Sequence, residues 1–73
     1  MSDELIIYQK FLYEASEGNP IKLAVLIRRD LFNNNSLTMQ LFNDKINVDT
    51  VIKKAEQIVN QIQSKKPKHE HKI

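Results

Sequence analysis

The sequence predicts an all-α fold: a small compact bundle of three main helices plus one short helix, with a disordered basic C-terminal tail. Only one glycine and two prolines occur among 73 residues, so the chain has few of the turn formers that β-hairpins require. Large apolar residues recur at three- and four-residue spacing, which is the period of an amphipathic helix. A chain of this length forms one small domain. We expect that domain at residues 1–64 and a flexible basic tail at residues 65–73.

The first helix is expected to begin close to Met1. Ser2 is a candidate N-cap, and Asp3 and Glu4 would place negative charge in the first turn, where it complements the helix dipole. Gly18 is predicted to end the segment as a left-handed C-cap. The apolar stripe in between consists of Leu5, Tyr8, Leu12 and Ala15, widened by Ile6, Ile7, Phe11 and Tyr13.

The second helix is predicted from Pro20 to about Phe32, with Asn19 as its N-cap. Proline suits the first helical position because its missing N–H needs no partner there. The apolar residues of this helix are Ile21, the run Leu23 to Ile27, Leu31 and Phe32. They surround nearly the whole helix, which is typical of a helix at the centre of a bundle or pressed against a second chain. The solvent-exposed side is marked by Lys22, Arg28, Arg29 and Asp30.

The second half of the chain predicts one short helix and one long helix. Residues 33–35, all asparagine, break the helical pattern. Ser36 is predicted to cap a short third helix that runs from Leu37 to about Asn43. The fourth helix has the most regular period of the chain, and Asn47 is its predicted N-cap. Its apolar seam consists of Val48, Val51, Ile52, Ala55, Ile58, Val59 and Ile62.

The positive charge of the chain is concentrated at its C-terminal end. The formal net charge is +2. Residues 1–63 carry seven Lys and Arg against eight Asp and Glu, a net of −1, whereas residues 64–73 carry four against one, a net of +3. The basic character therefore belongs to the expected tail.

Residues that carry catalytic or metal chemistry are scarce. The chain has no cysteine, and its two histidines, His69 and His71, both lie in the expected tail. Two imidazoles around Glu70 would give neither a closed metal coordination sphere nor an ordered second shell. No glycine-rich phosphate loop is present. We therefore expect a protein that is not an enzyme, with no catalytic residues, no metal site and no cofactor.

DNA binding is the alternative function. Residues 20–45 are arranged like a helix-turn-helix, in which Arg28 and Arg29 would hold phosphates. The side chains that would reach base edges are Ser36, Thr38, Gln40 and Asn43. Against this interpretation, the candidate recognition segment has no Lys or Arg before Lys45, and the folded part is not basic. Nucleic acid is thus a possible partner that the sequence does not favour.

A membrane role is the third interpretation. The longest apolar run, Leu23 to Ile27, has five residues, which is far too few to cross a bilayer. The acidic start of the chain argues against a secretory leader, so we expect a cytoplasmic protein with no transmembrane segment. A membrane-surface or immunity-type protein would use the fourth helix, but its Val, Ile and Ala seam is more typical of packing against another helix.

The function that the sequence favours is protein interaction. The apolar faces of the three main helices together exceed what one small core needs. Small domains without disulfides or a structural metal often oligomerise. We therefore expect a non-catalytic regulatory protein that binds and modulates a larger protein partner, as a homodimer formed through the second or the fourth helix. The candidate partner-binding residues are Arg28, Arg29, Lys53 and Lys54.

Overall fold

The computed structural model describes residues 3–43 and 45–65, and these residues confirm the all-α prediction. The four helices are α1 (Asp3–Ala15), α2 (Pro20–Phe32), α3 (Ser36–Gln40) and α4 (Val48–Ser64). No strand occurs in the described residues. Lys65 is the C-cap of α4. The predicted cap at Ser2 and the rest of the predicted tail, residues 66–73, lie outside the described residues.

A single core holds the four helices together. The most extensive helix contact is between α2 and α4, while α1 packs on both of them and α3 packs on α1 and α2. The buried apolar residues are Leu5, Tyr8, Leu12, Leu23, Ala24, Ile27, Leu41, Val51, Ala55, Ile58 and Val59. Burying each of the large ones contributes about 1.5–3 kcal/mol. Only part of the predicted seam of α4 is in this core, because Val48 and Ile52 remain exposed.

The end of α1 differs in one respect from the prediction. Gly18 is left-handed as expected, with φ of 74°, but Glu17 before it is left-handed too, with φ of 59°. The amide of Gly18 donates to the carbonyl of Tyr13 at 3.0 Å, and the amide of Glu17 donates to the carbonyl of Glu14 at 3.1 Å. This pair of bonds is a Schellman motif, in which Glu17 takes the position where glycine is usually found.

The asparagine triplet ends α2 in the same way and also begins α3. Asn34 is left-handed, with φ of 59°, and the amide of Asn35 donates to the carbonyl of Asp30 at 3.0 Å. The side chain of Asn35 then accepts a 3.0 Å hydrogen bond from the amide of Thr38. The N-cap of α3 is therefore Asn35 and not Ser36 as predicted, and α3 ends at Gln40, three residues earlier than expected.

The long helix α4 begins with a reciprocal capping box. Oδ1 of Asn47 accepts from the amide of Thr50 at 3.0 Å, and Oγ1 of Thr50 accepts from the amide of Asn47 at 2.9 Å. Two donors that the helix itself cannot satisfy are thereby paired. The prediction of Asn47 as the N-cap is confirmed, as is that of Asn19 for α2.

Candidate protein-interaction face

An apolar cleft runs between α2 and α4 on the outside of the molecule. Its volume is about 200 Å³, and its lining is Pro20, Ile21, Ala24, Val25, Arg28, Val48, Ile52 and Glu56. Apart from Arg28 and Glu56, these residues are all apolar. A cleft of this composition favours an apolar occupant.

The apolar surface continues beyond this cleft. A second depression shares Arg28 and Val48 with the first and reaches Phe32 and Ile46. We use the term α2–α4 face for the five exposed apolar side chains that these two helices contribute along this line, which are Ile21, Val25, Phe32, Val48 and Ile52. They are between 45% and 87% exposed, and Phe32 is the most exposed of them.

The sequence folds this way because α2 and α4 each carry two apolar stripes. In α2, one stripe is buried at Leu23 and Ile27, while the other, spaced by four and seven residues, is exposed. In α4, the buried residues begin at Val51, while Val48 and Ile52 lie four residues apart on the flank towards α2. One stripe of each helix thus forms the core, and the second stripes meet outside it.

Arg28 and Glu56 are the two charged residues of the cleft. The second depression groups Arg28 and Phe32, late in α2, with Val48 at the start of α4. Glu56 is two turns further along α4 and lines only the first cleft. The two charges are therefore at opposite ends. Among the ion pairs within 4.0 Å in residues 3–43 and 45–65, none involves either of them.

No protein-family model, curated protein or solved structure matches this chain.

The four predicted binding residues do not form one site. Arg28 lies on the edge of the α2–α4 face, but the side chain of Arg29 is 3.5 Å from the carboxylate of Asp30 and lines neither depression. Lys53 and Lys54 line a separate cleft, and Nζ of Lys54 donates to Gln57 at 3.0 Å. The other described residues of that cleft are Leu41, Phe42, Asn43, Lys45, Thr50 and Gln57. Among the residues that the structure describes, the charged side chains of the cleft are thus all lysines.

One residue of the helix-turn-helix interpretation is not available to DNA. Thr38 is fully buried, and its hydroxyl is hydrogen-bonded to Tyr8. The prediction that Thr38 reaches a base edge is therefore wrong. Ser36, Gln40 and Asn43 are exposed, so three of the four candidate base-reading residues remain on the surface, at and beyond a helix of only five residues.

The membrane interpretation requires an exposed apolar seam on α4, but most of that seam is buried. The seam of α4 at Val51, Ala55 and Ile58 is buried in the core. In the part of the chain that the structure describes, none of the helices has the length and apolar character that a bilayer crossing requires.

The sequence patterns gave no indication of a polar cluster between α1, α2 and α3. The hydroxyl of Tyr8 donates to Oδ2 of Asp30 at 2.5 Å. Since its only proton is used there, the hydroxyl of Thr38 donates to the oxygen of Tyr8. Burial and the bond to Asp30 raise the pKa of Tyr8 from 10.0 to about 12, so the phenol keeps its proton to a higher pH than an ordinary tyrosine does. Asp30 was predicted on the solvent-exposed side of α2, yet its side chain is only 16% exposed.

Proposed function

We propose that this protein is a small non-catalytic regulator that forms a homodimer through its α2–α4 face and binds a larger protein partner. The observation that carries this proposal is the α2–α4 face itself. Five large apolar side chains lie together on the surface of a chain of 73 residues. Such a contiguous surface is typical of an interface.

The free energy gained by burying the α2–α4 face supports association. Complete burial of a large apolar side chain contributes about 1.5–3 kcal/mol. A homodimer buries the five partly exposed side chains of each chain, so the total gain is of the same order as the association cost of about 4–15 kcal/mol. A small domain without disulfides is also only marginally stable alone, so burial against a second chain stabilises the fold.

The charges favour a protein over a nucleic acid on this face. Arg28 and Glu56 together give its cleft no net charge, whereas docking on a phosphate backbone requires a concentration of Lys and Arg. The separate cleft of Lys53 and Lys54 is positive and shares no lining residue with the cleft of the α2–α4 face. We propose that this cleft binds an acidic surface of the larger partner while the α2–α4 face holds the dimer together, in a protein of the cytoplasm.

Sedimentation equilibrium over a series of protein concentrations tests the dimer. We expect twice the 8.6 kDa mass of the single chain. Val25→Glu should give the monomer, because a carboxylate would have to be buried at the centre of the face. Ile7→Glu is the matched control, since Ile7 on α1 is 65% exposed and Val25 is 58% exposed. A wild-type monomer at every concentration would refute the proposed dimer.

Capture from the native cell tests the larger partner. Tagged wild-type protein should retain a protein that the double variant Lys53→Glu and Lys54→Glu does not retain. The same difference should then appear with the two purified proteins. If the double variant binds the purified partner with unchanged affinity, the lysine cleft is not the binding site.

A further inference from the structure

The two charges of the α2–α4 face are arranged in a self-complementary way. The later turns of α2 lie beside the start of α4 at Val48, and from there the cleft extends back to Pro20 in α2 and forward to Glu56 in α4. The two helices are therefore antiparallel along the cleft. Arg28 is three residues beyond Val25 in α2, and Glu56 is four residues beyond Ile52 in α4. At 1.5 Å per residue, each charge is thus about 5 Å along its helix from the apolar middle of the cleft, in opposite directions.

A twofold axis can use this arrangement. Such an axis lies in the interface, crosses the line between two surface groups at its midpoint and is perpendicular to that line. A rotation of 180° about it exchanges the positions of the two groups. The first group of one chain then lies opposite the second group of the other chain, and the reverse pair forms at the other end of the interface. For Arg28 and Glu56 that midpoint lies near Val25 and Ile52, which would form the dry centre of the interface.

Resting on the dimer proposed above, we infer that the occupant of the cleft is a second copy of this chain in a twofold arrangement. In this dimer, Arg28 pairs with Glu56 of the partner subunit and Glu56 pairs with the partner subunit's Arg28. Within residues 3–43 and 45–65 of one chain, neither residue has an ion-pair partner. The planar guanidinium of arginine can bind a carboxylate through two parallel hydrogen bonds, which fixes orientation as well as adding energy.

A second copy fits these charges better than a different protein of one charge sign. An acidic partner would attract Arg28 but repel Glu56. A basic partner would attract Glu56 but repel Arg28. An identical chain satisfies both charges with one symmetry operation. The apolar centre between them matches the usual division of an interface into a dry core and a polar rim.

Charge reversal provides the test. Arg28→Glu alone places two acidic groups opposite each other at both ends of the cleft, and Glu56→Arg alone places two basic groups there. We expect each single variant to dimerise about ten- to a hundredfold more weakly than the wild type. Mixed in equal amounts, the two variants should form a heterodimer, because in that mixture both ends carry opposite charges. The double variant should dimerise by itself. Lys10→Glu, at an exposed position of α1, is the control of equal charge change, and it should leave dimerisation unchanged.

Cysteine cross-linking locates the axis independently. The chain contains no cysteine, so Val25→Cys introduces a single thiol. Close to the twofold axis, this thiol should form a disulfide with its own copy under mild oxidation, whereas Ile7→Cys should not.

The outcomes separate this inference from the proposed dimer. If the single charge variants dimerise as tightly as the wild type, or if their mixture shows no recovery, the pairing of Arg28 with Glu56 is overturned while the dimer stands. If Ile7→Cys is cross-linked and Val25→Cys is not, the position of the axis is overturned. A wild-type monomer overturns both the dimer and the pairing.

Discussion

The phenol oxygen of Tyr8 on α1 lies 2.5 Å from Oδ2 of Asp30, 22 residues later in the chain on α2. The same oxygen is hydrogen-bonded to Thr38 on α3. Three helices therefore meet at one atom. Apolar contacts have little directional preference, whereas a satisfied buried polar network specifies one arrangement of the groups that form it.

Removal of this hydroxyl should destabilise the fold. Tyr8→Phe leaves the buried hydroxyl of Thr38 without its acceptor and Asp30 without its donor, so we expect a loss of about 1–3 kcal/mol in the free energy of unfolding. Urea denaturation followed by circular dichroism measures it. Adding Thr38→Val should cost less in the Tyr8→Phe background than in the wild type, because the two groups share one interaction. Equal costs in both backgrounds would show that the two hydroxyls are not coupled.

The same phenol predicts a loss of stability at alkaline pH. Burial and the bond to Asp30 raise the pKa of Tyr8 from 10.0 to about 12, so the folded state holds the proton more tightly than the unfolded state. This contribution is complete below pH 10 and is lost as the pH rises from 10 through 12. Urea denaturation at several pH values in this range should show a steeper decline for the wild type than for Tyr8→Phe. Parallel declines would contradict the prediction.

The turn between α1 and α2 predicts opposite effects at neighbouring positions. A methyl group at Gly18 would lie 3.2 Å from the hydroxyl oxygen of Tyr13, in a residue with φ of 74°. Gly18→Ala should therefore cost about 1 kcal/mol or more. Glu17→Gly should instead stabilise the protein by about 0.5 kcal/mol, because it relieves a left-handed glutamate whose ion pair with Lys22 is solvent-exposed. Thermal unfolding of both variants measures the two effects, and a loss of stability in Glu17→Gly would refute the second.

The capping box of α4 gives a further prediction. Asn47→Ala removes the acceptor of the amide of Thr50 and should cost about 1 kcal/mol in the free energy of unfolding. Asn60→Ala is the matched control, since Asn60 is exposed in the middle of the same helix. It should leave stability unchanged or slightly raised, because alanine is the better helix former. An equal loss in both variants would mean that the cap has no special role.

The sequence predicted those parts of the fold that depend on local chemistry. The bounds of α2 follow from Asn19 and Pro20 at one end and the asparagines at the other, and the beginning of α4 follows from Asn47. These signals act within one or two turns of backbone. The misplaced N-cap of α3 also has a local cause, because both Asn35 and Ser36 are good caps and spacing alone does not choose between them.

The polar cluster and the exposed face depend on tertiary packing, which periodicity does not specify. Asp30 follows two arginines and therefore resembled a solvent-exposed residue, although it faces Tyr8. Similarly, Ile21 and Leu23 are equally apolar in the sequence, yet one is exposed and the other fully buried. The pattern showed that α2 has too many apolar residues for one core. It did not show which of these residues remain exposed outside the core.

The three helix starts at Asn19, Asn35 and Asn47 all depend on amide oxygens. An amide has no charge to gain or lose, so acid, salt or chemical modification of lysine leaves these starting points intact. The inferred contact between Arg28 and Glu56 of the partner subunit consists entirely of charge. In the inferred dimer, salt would therefore weaken this contact without breaking the hydrogen bonds at the helix starts.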